Sequence, residues 1–424
     1  MTLDVAMEDG LKCVKIQQRE EDEDEENNES SILIPGLPNH LAHLCLSNLH
    51  PSLLYGICKS WRRLIYTTSF PHFYCLYVVC SRSRAYNNST NTASTSSRTS
   101  SIIKQYTDRE QNSIEFFCFD PISSKWSKLP NPPSSDPPIR ILRHHPSFIS
   151  RSLSIQSLTV AERMVLIAAT THKFLPAIER PLGFNPLCNE WFFGPPLAAP
   201  RRWCGSSSVN GNVYVASGMG STYHSDVARS LEKWDVNQKA HEKWKWEKLA
   251  GLKDGKFSRE FVDAIGYRGK LCMVNNKGHA AKESAVYDIA KDEWKEMPEG
   301  MLGGWNGPAA ASSSTTTTIN DESHDEMYVV DEIKGSLSKY VPEIDQWEEV
   351  IESCDDLKGA EQISVGGGRV CAICDDGRLI VVVDVAAKPA NVIGVVSTPP
   401  EMEAIALHIL PRINADKLPQ SRRF

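Results

Sequence analysis

The chain contains no run of apolar residues approaching the ~18 to 20 that a membrane span needs. Its first ten residues, MTLDVAMEDG, lack the basic start and apolar stretch of a secretory signal. A concentrated positive charge is missing too: the formal net charge is −7, the wrong sign for a dedicated nucleic-acid binder. No GxSxG, HExxH or phosphate-binding glycine loop with its lysine occurs, which removes the usual signatures of serine hydrolysis, zinc proteolysis and nucleotide binding. The 12 cysteines are scattered, a usage that suits a reducing compartment and predicts a cytoplasmic or nuclear protein. One CxxC pair stands out, Cys371 and Cys374 in RVCAICDD, but that stretch reads as a strand. Residues three apart on a strand face opposite sides, so a shared metal is not expected. The glycines of SVGGGRV (364–370) come without lysine or a following helix; they read as a tight turn before a strand, supplying positive φ.

What is present divides by composition. Residues 1–31 are polar and carry the unbroken acidic run EEDEDEE, Glu20 to Glu26, predicted to be a disordered, solvated tail because like charges repel and little can be buried. Residues 32–72 show helical periodicity, 73–411 are strand-like, and 412–424 form a short polar tail. Two Ser/Thr/Asn-rich insertions, 81–101 and 312–326, interrupt the strand-rich region and read as surface loops.

The helical stretch LPNHLAHLCLSNLHPSLLYGICKSWRRLI places Leu37, Leu41 and Leu44 at i, i+4 and i+7 of a helix beginning near Pro38. Pro51 marks a second helix start, with Leu53, Leu54 and Ile57 continuing an apolar stripe, and Trp61, Leu64 and Ile65 form a third short group. Three such helices bury too little to be robust alone, so the remaining apolar face is expected to meet a partner. The residues Leu37-Pro38, Leu44-Cys45-Leu46, Leu53-Leu54 and Lys59-Ser60-Trp61-Arg62 resemble the F-box pattern. Ile57-Cys58 stands where that motif usually has Val-Cys or Val-Ser.

Five tryptophans beyond residue 100 share a context: FDPISSKW (Trp126), FNPLCNEW (Trp191), WDVNQKAHEKWKW (Trp246), YDIAKDEW (Trp294) and YVPEIDQW (Trp347). In four of the five an aromatic lies seven residues earlier, and the Trp246 copy carries a five-residue insertion. An apolar strand precedes each unit, and a sixth unit, RVCAICD with RLIVVVDV, has no tryptophan. A spacing near 50 residues is that of a repeated supersecondary unit, and radial arrangement lets such units protect one another's edges. The pattern resembles kelch repeats, although the family's paired glycines survive only as Ser217-Gly218. The fold class this implies is mostly β: a six-bladed kelch-type β-propeller preceded by a small three-helix F-box module. MEAIALHILP (402–411) has no later partner and is predicted to close the ring as the inner strand of the first blade.

Together these resemble the plant F-box/kelch-repeat family. That resemblance implies a non-enzymatic substrate receptor of an SCF-type ubiquitin ligase, with the F-box binding a Skp-type adaptor and through it a cullin, and the propeller binding an unknown target. No cofactor or metal is implied. The expected adaptor contacts are Leu37, Pro38, Leu41, Leu44, Leu46, Leu53, Leu54 and Trp61, with Trp61 alternatively locking the propeller to the helices. Arg202, Trp203, Arg259 and Trp305 lie in segments leading to inner strands and are the expected target-recognition residues, since Arg and Trp are enriched at interface hot spots. Trp126, Trp191, Trp246, Trp294 and Trp347 are expected to be structural. Two alternatives stay open: a copper-oxidase-like propeller enzyme, and a kelch scaffold without a ligase link.

Overall fold

The structure, a computed structural model, describes residues 32–82, 111–133, 139–142, 155–171, 173–238, 244–258, 262–275, 282–312 and 325–413. Two compact units divide at Phe73/Tyr74, and Tyr74–Arg412 make up the larger.

The smaller unit holds α1 (Asn39–Ser47), α2 (Pro51–Ile57) and α3 (Lys59–Leu64). Both sequence-marked starts are used. Pro38 caps α1, and Pro51 is the first residue of α2, where the missing N–H costs nothing. The His50 imidazole accepts from the Ser52 amide at the head of α2, and the Cys58 sulfur accepts from the Trp61 amide at the head of α3.

The larger unit is a ring of six antiparallel sheets. The first sheet contains β1 (Tyr74–Arg82), β2 (Gln111–Asp120) and β3 (Lys125–Lys128), with a short β4 (Arg140–Leu142) beside β2. The second is β5 (Ile155–Val160), β6 (Arg163–Ala169), β7 (Leu182–Asn185) and β8 (Glu190–Phe193). The third is β9 (Gly205–Val209), β10 (Asn212–Ala216), β11 (Leu231–Asp235) and β12 (Glu247–Lys248). The fourth runs through β13 (Asp263–Tyr267), β14 (Lys270–Asn275), β15 (Glu283–Asp288) and β16 (Glu293–Lys295). A helix, α5 (Glu299–Gly304), follows it, as α4 (Ser225–Ala228) sits between β10 and β11. The fifth is β17 (Ala309–Ala311), β18 (Met327–Asp331), β19 (Ser336–Val341) and β20 (Gln346–Ile351). The sixth is β21 (Gln362–Gly366), β22 (Arg369–Cys374), β23 (Leu379–Asp384) and β24 (Asn391–Ser397).

The last strand, β25 (Met402–Pro411), pairs antiparallel with β1 from Tyr74↔Pro411 to Arg82↔Met402 and completes the first sheet. Neighbouring inner strands then follow the order β25, β5, β9, β13, β17, β21 and back to β25.

Cores lie between blades. In β14, Leu271 and Met273 join the apolar cluster shared with the third blade, while Cys272 and Val274 join the one shared with the fifth. Both faces of each second strand are covered, which is why these strands read as continuous apolar runs. The same alternation separates Cys371, which faces the first blade's cluster, from Cys374, which faces the fifth's. Between β21 and β22, Gly367 (φ 58°) and Gly368 (φ 73°) form the two-residue turn expected of SVGGGRV.

The tryptophan repeat has a geometric cause. Residues seven apart across a hairpin turn become directly opposed: Phe119↔Trp126, Phe184↔Trp191, Tyr287↔Trp294 and Tyr340↔Trp347, with ring centroids 5.0–5.3 Å apart. Each indole N–H then reaches back one blade to a backbone carbonyl: Trp126 to Ser397, Trp191 to Pro130, Trp246 to Pro195, Trp294 to Ala250 and Trp347 to Met301, at 2.7–3.0 Å. Two residues before the tryptophan sits Ser124, Asn189, Asp292 or Asp345, each at a φ of 49–56°, a conformation that Asn and Asp adopt more readily than most residues. In two blades that residue completes a clamp. Asp292 accepts from the Ala250 amide while Trp294 donates to the Ala250 carbonyl. Asp345 accepts from the amides of Gly300 and Met301 while Trp347 donates to the Met301 carbonyl. Tyr287 and Tyr340 donate their hydroxyls to the same two carboxylates. The tyrosine hydroxyl comes first among the causes holding the Asp345 carboxyl below the usual carboxylate range, followed by the two amides against a raising effect of burial.

Candidate functional site

On the helices, buried and exposed apolar residues separate by face. Ala42 and Leu46 of α1 and Leu54 of α2 are buried in the protein interior. Leu41 (41% exposed) and Leu44 (61%) lie three apart on α1, and Leu53 (61%) and Ile57 (61%) four apart on α2, spacings that put each pair on one face. Four large apolar side chains left in water on two short helices are an unfinished surface. The expectation of partner contact is therefore corrected for Leu46 and Leu54, whose side chains are already enclosed. Leu37 is half-buried and Pro38 exposed.

Trp61 and Arg62 turn inward within this unit. The Trp61 indole donates to the Leu33 carbonyl at 2.6 Å, and Leu33 is held in turn by Asn39. The Arg62 guanidinium donates to the Tyr55 carbonyl and lies 4.5 Å from the Tyr55 ring centre. Trp61 thus pins the chain entering α1 onto α3.

Topology divides the ring's two ends. In an antiparallel sheet the first-to-second and third-to-fourth turns share one end, and the second-to-third and blade-to-blade connections share the other. Tight turns such as Asn210-Gly211 and Gly367-Gly368 occupy the first end, with Tyr74 and Pro411. The second carries the long connections and is the loop face. Arg202, Trp203 and Trp305 all belong to connections on that face, but they are not an open surface. Trp305 is fully buried in the cluster between the fourth and fifth blades. Trp203 (φ 57°) is buried, and the Arg202 guanidinium lies 3.8 Å from its ring centre and donates to the Met219 sulfur. Burial lowers the Arg202 pKa. These three are corrected to packing residues of the loop face, and Arg259 lies outside the described residues.

Sequence reasoning missed the neighbouring Arg201. Its side chain is 1% exposed and meets Glu232 (2%) at 2.5 Å, while donating also to the Ser217 carbonyl and the Ser230 hydroxyl. Nothing in the run PRRWC distinguishes the inward arginine from the next one, because only the tertiary fold supplies the partner carboxylate.

A channel of about 300 Å³ runs between the inner strands, walled largely by small residues such as Ser206, Ser207, Ala309 and Gly366. His408 of β25 spans to β5, with its ring nitrogens 3.1 Å from the Thr159 hydroxyl and 3.0 Å from that of Ser157. Complete burial lowers its pKa to about 4, so the imidazole is neutral at physiological pH. Among the described residues no group of three or more His, Cys, Asp or Glu is placed to hold a metal, and no helix is long and apolar enough to cross a membrane.

Fold and surface together define a six-bladed β-propeller carrying a small helical module with an unfinished apolar face. The chain is 43% identical to the F-box/kelch-repeat protein SKIP25 of Arabidopsis thaliana over 393 residues, 91% of each chain. It is also 22% identical to the F-box protein AFR of the same plant, over 66% of each chain. No protein-family model matches the chain. The protein belongs to the F-box/kelch-repeat family.

Proposed function

We propose that this protein is the substrate-recognition subunit of an SCF-type ubiquitin ligase: the helices bind a Skp-type adaptor, and the propeller holds a target protein for ubiquitination. The observation that carries this reading is the exposed quartet Leu41, Leu44, Leu53 and Ile57, in the segment that resembles the F-box. Such a chain performs no bond chemistry. It raises the effective concentration of the target near the ubiquitin-loaded enzyme, converting a bimolecular encounter into an intramolecular one.

The test is co-purification of the full-length chain with a Skp-type adaptor, comparing the native protein with Leu44→Asp/Leu53→Asp. Two charges placed in a desolvated helical interface are expected to abolish recovery of the adaptor. Undiminished recovery, with the propeller's unfolding midpoint intact, would sink the assignment.

A further inference from the structure

Each blade ends in an outer strand with one edge unpaired among the described residues. Such an edge invites pairing with another chain unless charge, proline or shortness blunts it. Five of the six outer strands carry that protection. β3, β8, β12, β16 and β20 run two to six residues, and each holds at least one lysine or glutamate. β24 is the exception: it is seven residues long, its sequence is NVIGVVS, and it has no charge at all. Ile393 (43% exposed) and Val395 (44%) lie two apart on it, both in water. A bulge opposite Val382 and Val383 leaves Ile393 unmatched on β23, yet exposure still alternates residue by residue from Asn391 to Ser397.

The strand is also its own complement. Reversed about Gly394, Asn391 meets Ser397, Val392 meets Val396 and Ile393 meets Val395, so polar ends and β-branched centres fall opposite one another. β-branched residues are well suited to cross-strand packing. Charge follows the same symmetry. Lys388 lies three residues before β24 and Glu401 four residues after it; both are exposed. Neither has an ion-pair partner among the described residues. A two-fold axis through Gly394 brings the lysine end of one copy to the glutamate end of the other, twice. The centre of the strand is open, because a methyl group on Gly394 would meet nothing within 4 Å.

We infer that β24 is a self-association edge: two copies of this chain pair their β24 strands antiparallel about Gly394, joining two four-stranded sheets into one, with Lys388 of each copy facing Glu401 of the other. This goes beyond the receptor reading and is independent of it. One paired edge is a small interface, so the dimer is reversible and concentration-dependent.

The experiment is sedimentation velocity of the full-length protein from low-micromolar to sub-millimolar concentration. Expected are a monomer–dimer equilibrium in the native chain and a monomer throughout in Val395→Lys, with the unfolding midpoint unchanged because the site is exposed. Lys388→Glu is expected to weaken the dimer about tenfold, two surface contacts being reversed at once, and Lys388→Glu/Glu401→Lys to restore it. Register is read by crosslinking with oxidised glutathione. Gly394→Cys, on the axis, should form a covalent dimer above the native chain's background. Asn391→Cys should not, its two copies lying roughly 20 Å apart along the paired strands. This comparison decides if Val395→Lys lowers the midpoint. A native chain monomeric throughout overturns the inference and leaves the edge to a strand of another protein. So does a dimer that survives Val395→Lys, as one built through the helices' exposed leucines would, or equal crosslinking by the two cysteine variants.

Discussion

Removing β25 by ending the chain before Met402 is expected to unfold the whole ring rather than fray one edge. Ile405, Leu407, Ile409 and Leu410 are each at most 8% exposed, and they pack between the sixth, first and second blades. At roughly 1.5–3 kcal/mol per fully buried aliphatic side chain, those four alone amount to about 6–12 kcal/mol. That is comparable with the ~5–15 kcal/mol by which a folded domain is stable at all. The loss also exposes β1, which now pairs with β25 along nine residues and would become an unprotected edge. Chemical denaturation of native and truncated protein, followed by tryptophan fluorescence, is the assay. The truncated chain is expected to show no cooperative transition in buffer at 25 °C. A transition with unchanged midpoint and slope would refute the idea that the ring is closed by this strand. A milder form, Leu407→Ala, should lower stability by about 2–5 kcal/mol.

Other consequences are equally direct. Trp294→Phe keeps an aromatic ring opposite Tyr287 but removes the N–H donated to Ala250; equilibrium unfolding should register a loss of about 1 kcal/mol. His408 has a folded pKa of about 4 against ~6.5 unfolded. Above pH 6.5 both states are neutral and nothing is lost; as pH falls towards 4 the unfolded state binds the proton first, costing up to about 3 kcal/mol. Denaturation midpoints at pH 7.5 and 4.5 should therefore differ more in the native protein than in His408→Gln. Arg201→Met leaves Glu232 buried without its cation and should destabilise by about 3–5 kcal/mol, whereas Arg201→Met/Glu232→Met should recover much of that in the same assay. Leu44→Asp/Leu53→Asp, by contrast, alters exposed positions and should leave the propeller midpoint unmoved.

The architecture was legible because its signals are local. Seven residues from aromatic to tryptophan is a hairpin distance. Pro38 and Pro51 mark helix starts, and Gly367-Gly368 can hold a turn that few other pairs can. MEAIALHILP betrayed ring closure by being a strand with no later partner. Side-chain fate was less legible. The leucines of LPNHLAHLCLSNLHPSLL are chemically alike, and about half a turn of helix decides that Leu46 is enclosed while Leu44 is left in water. Arg202, Trp203 and Trp305 looked like hot-spot residues by type, yet their packing partners come from elsewhere in the chain, at Phe174 and Met219 and in the cluster that includes Tyr340.

Periodicity and turn chemistry belong to neighbouring residues, so the sequence alone determined the repeat, the six blades and the three short helices. Tertiary structure alone decided what lies across a blade boundary. Trp294 and Asp292 clamp Ala250, 44 and 42 residues away, and His408 bridges to β5 across 249 and 251 residues.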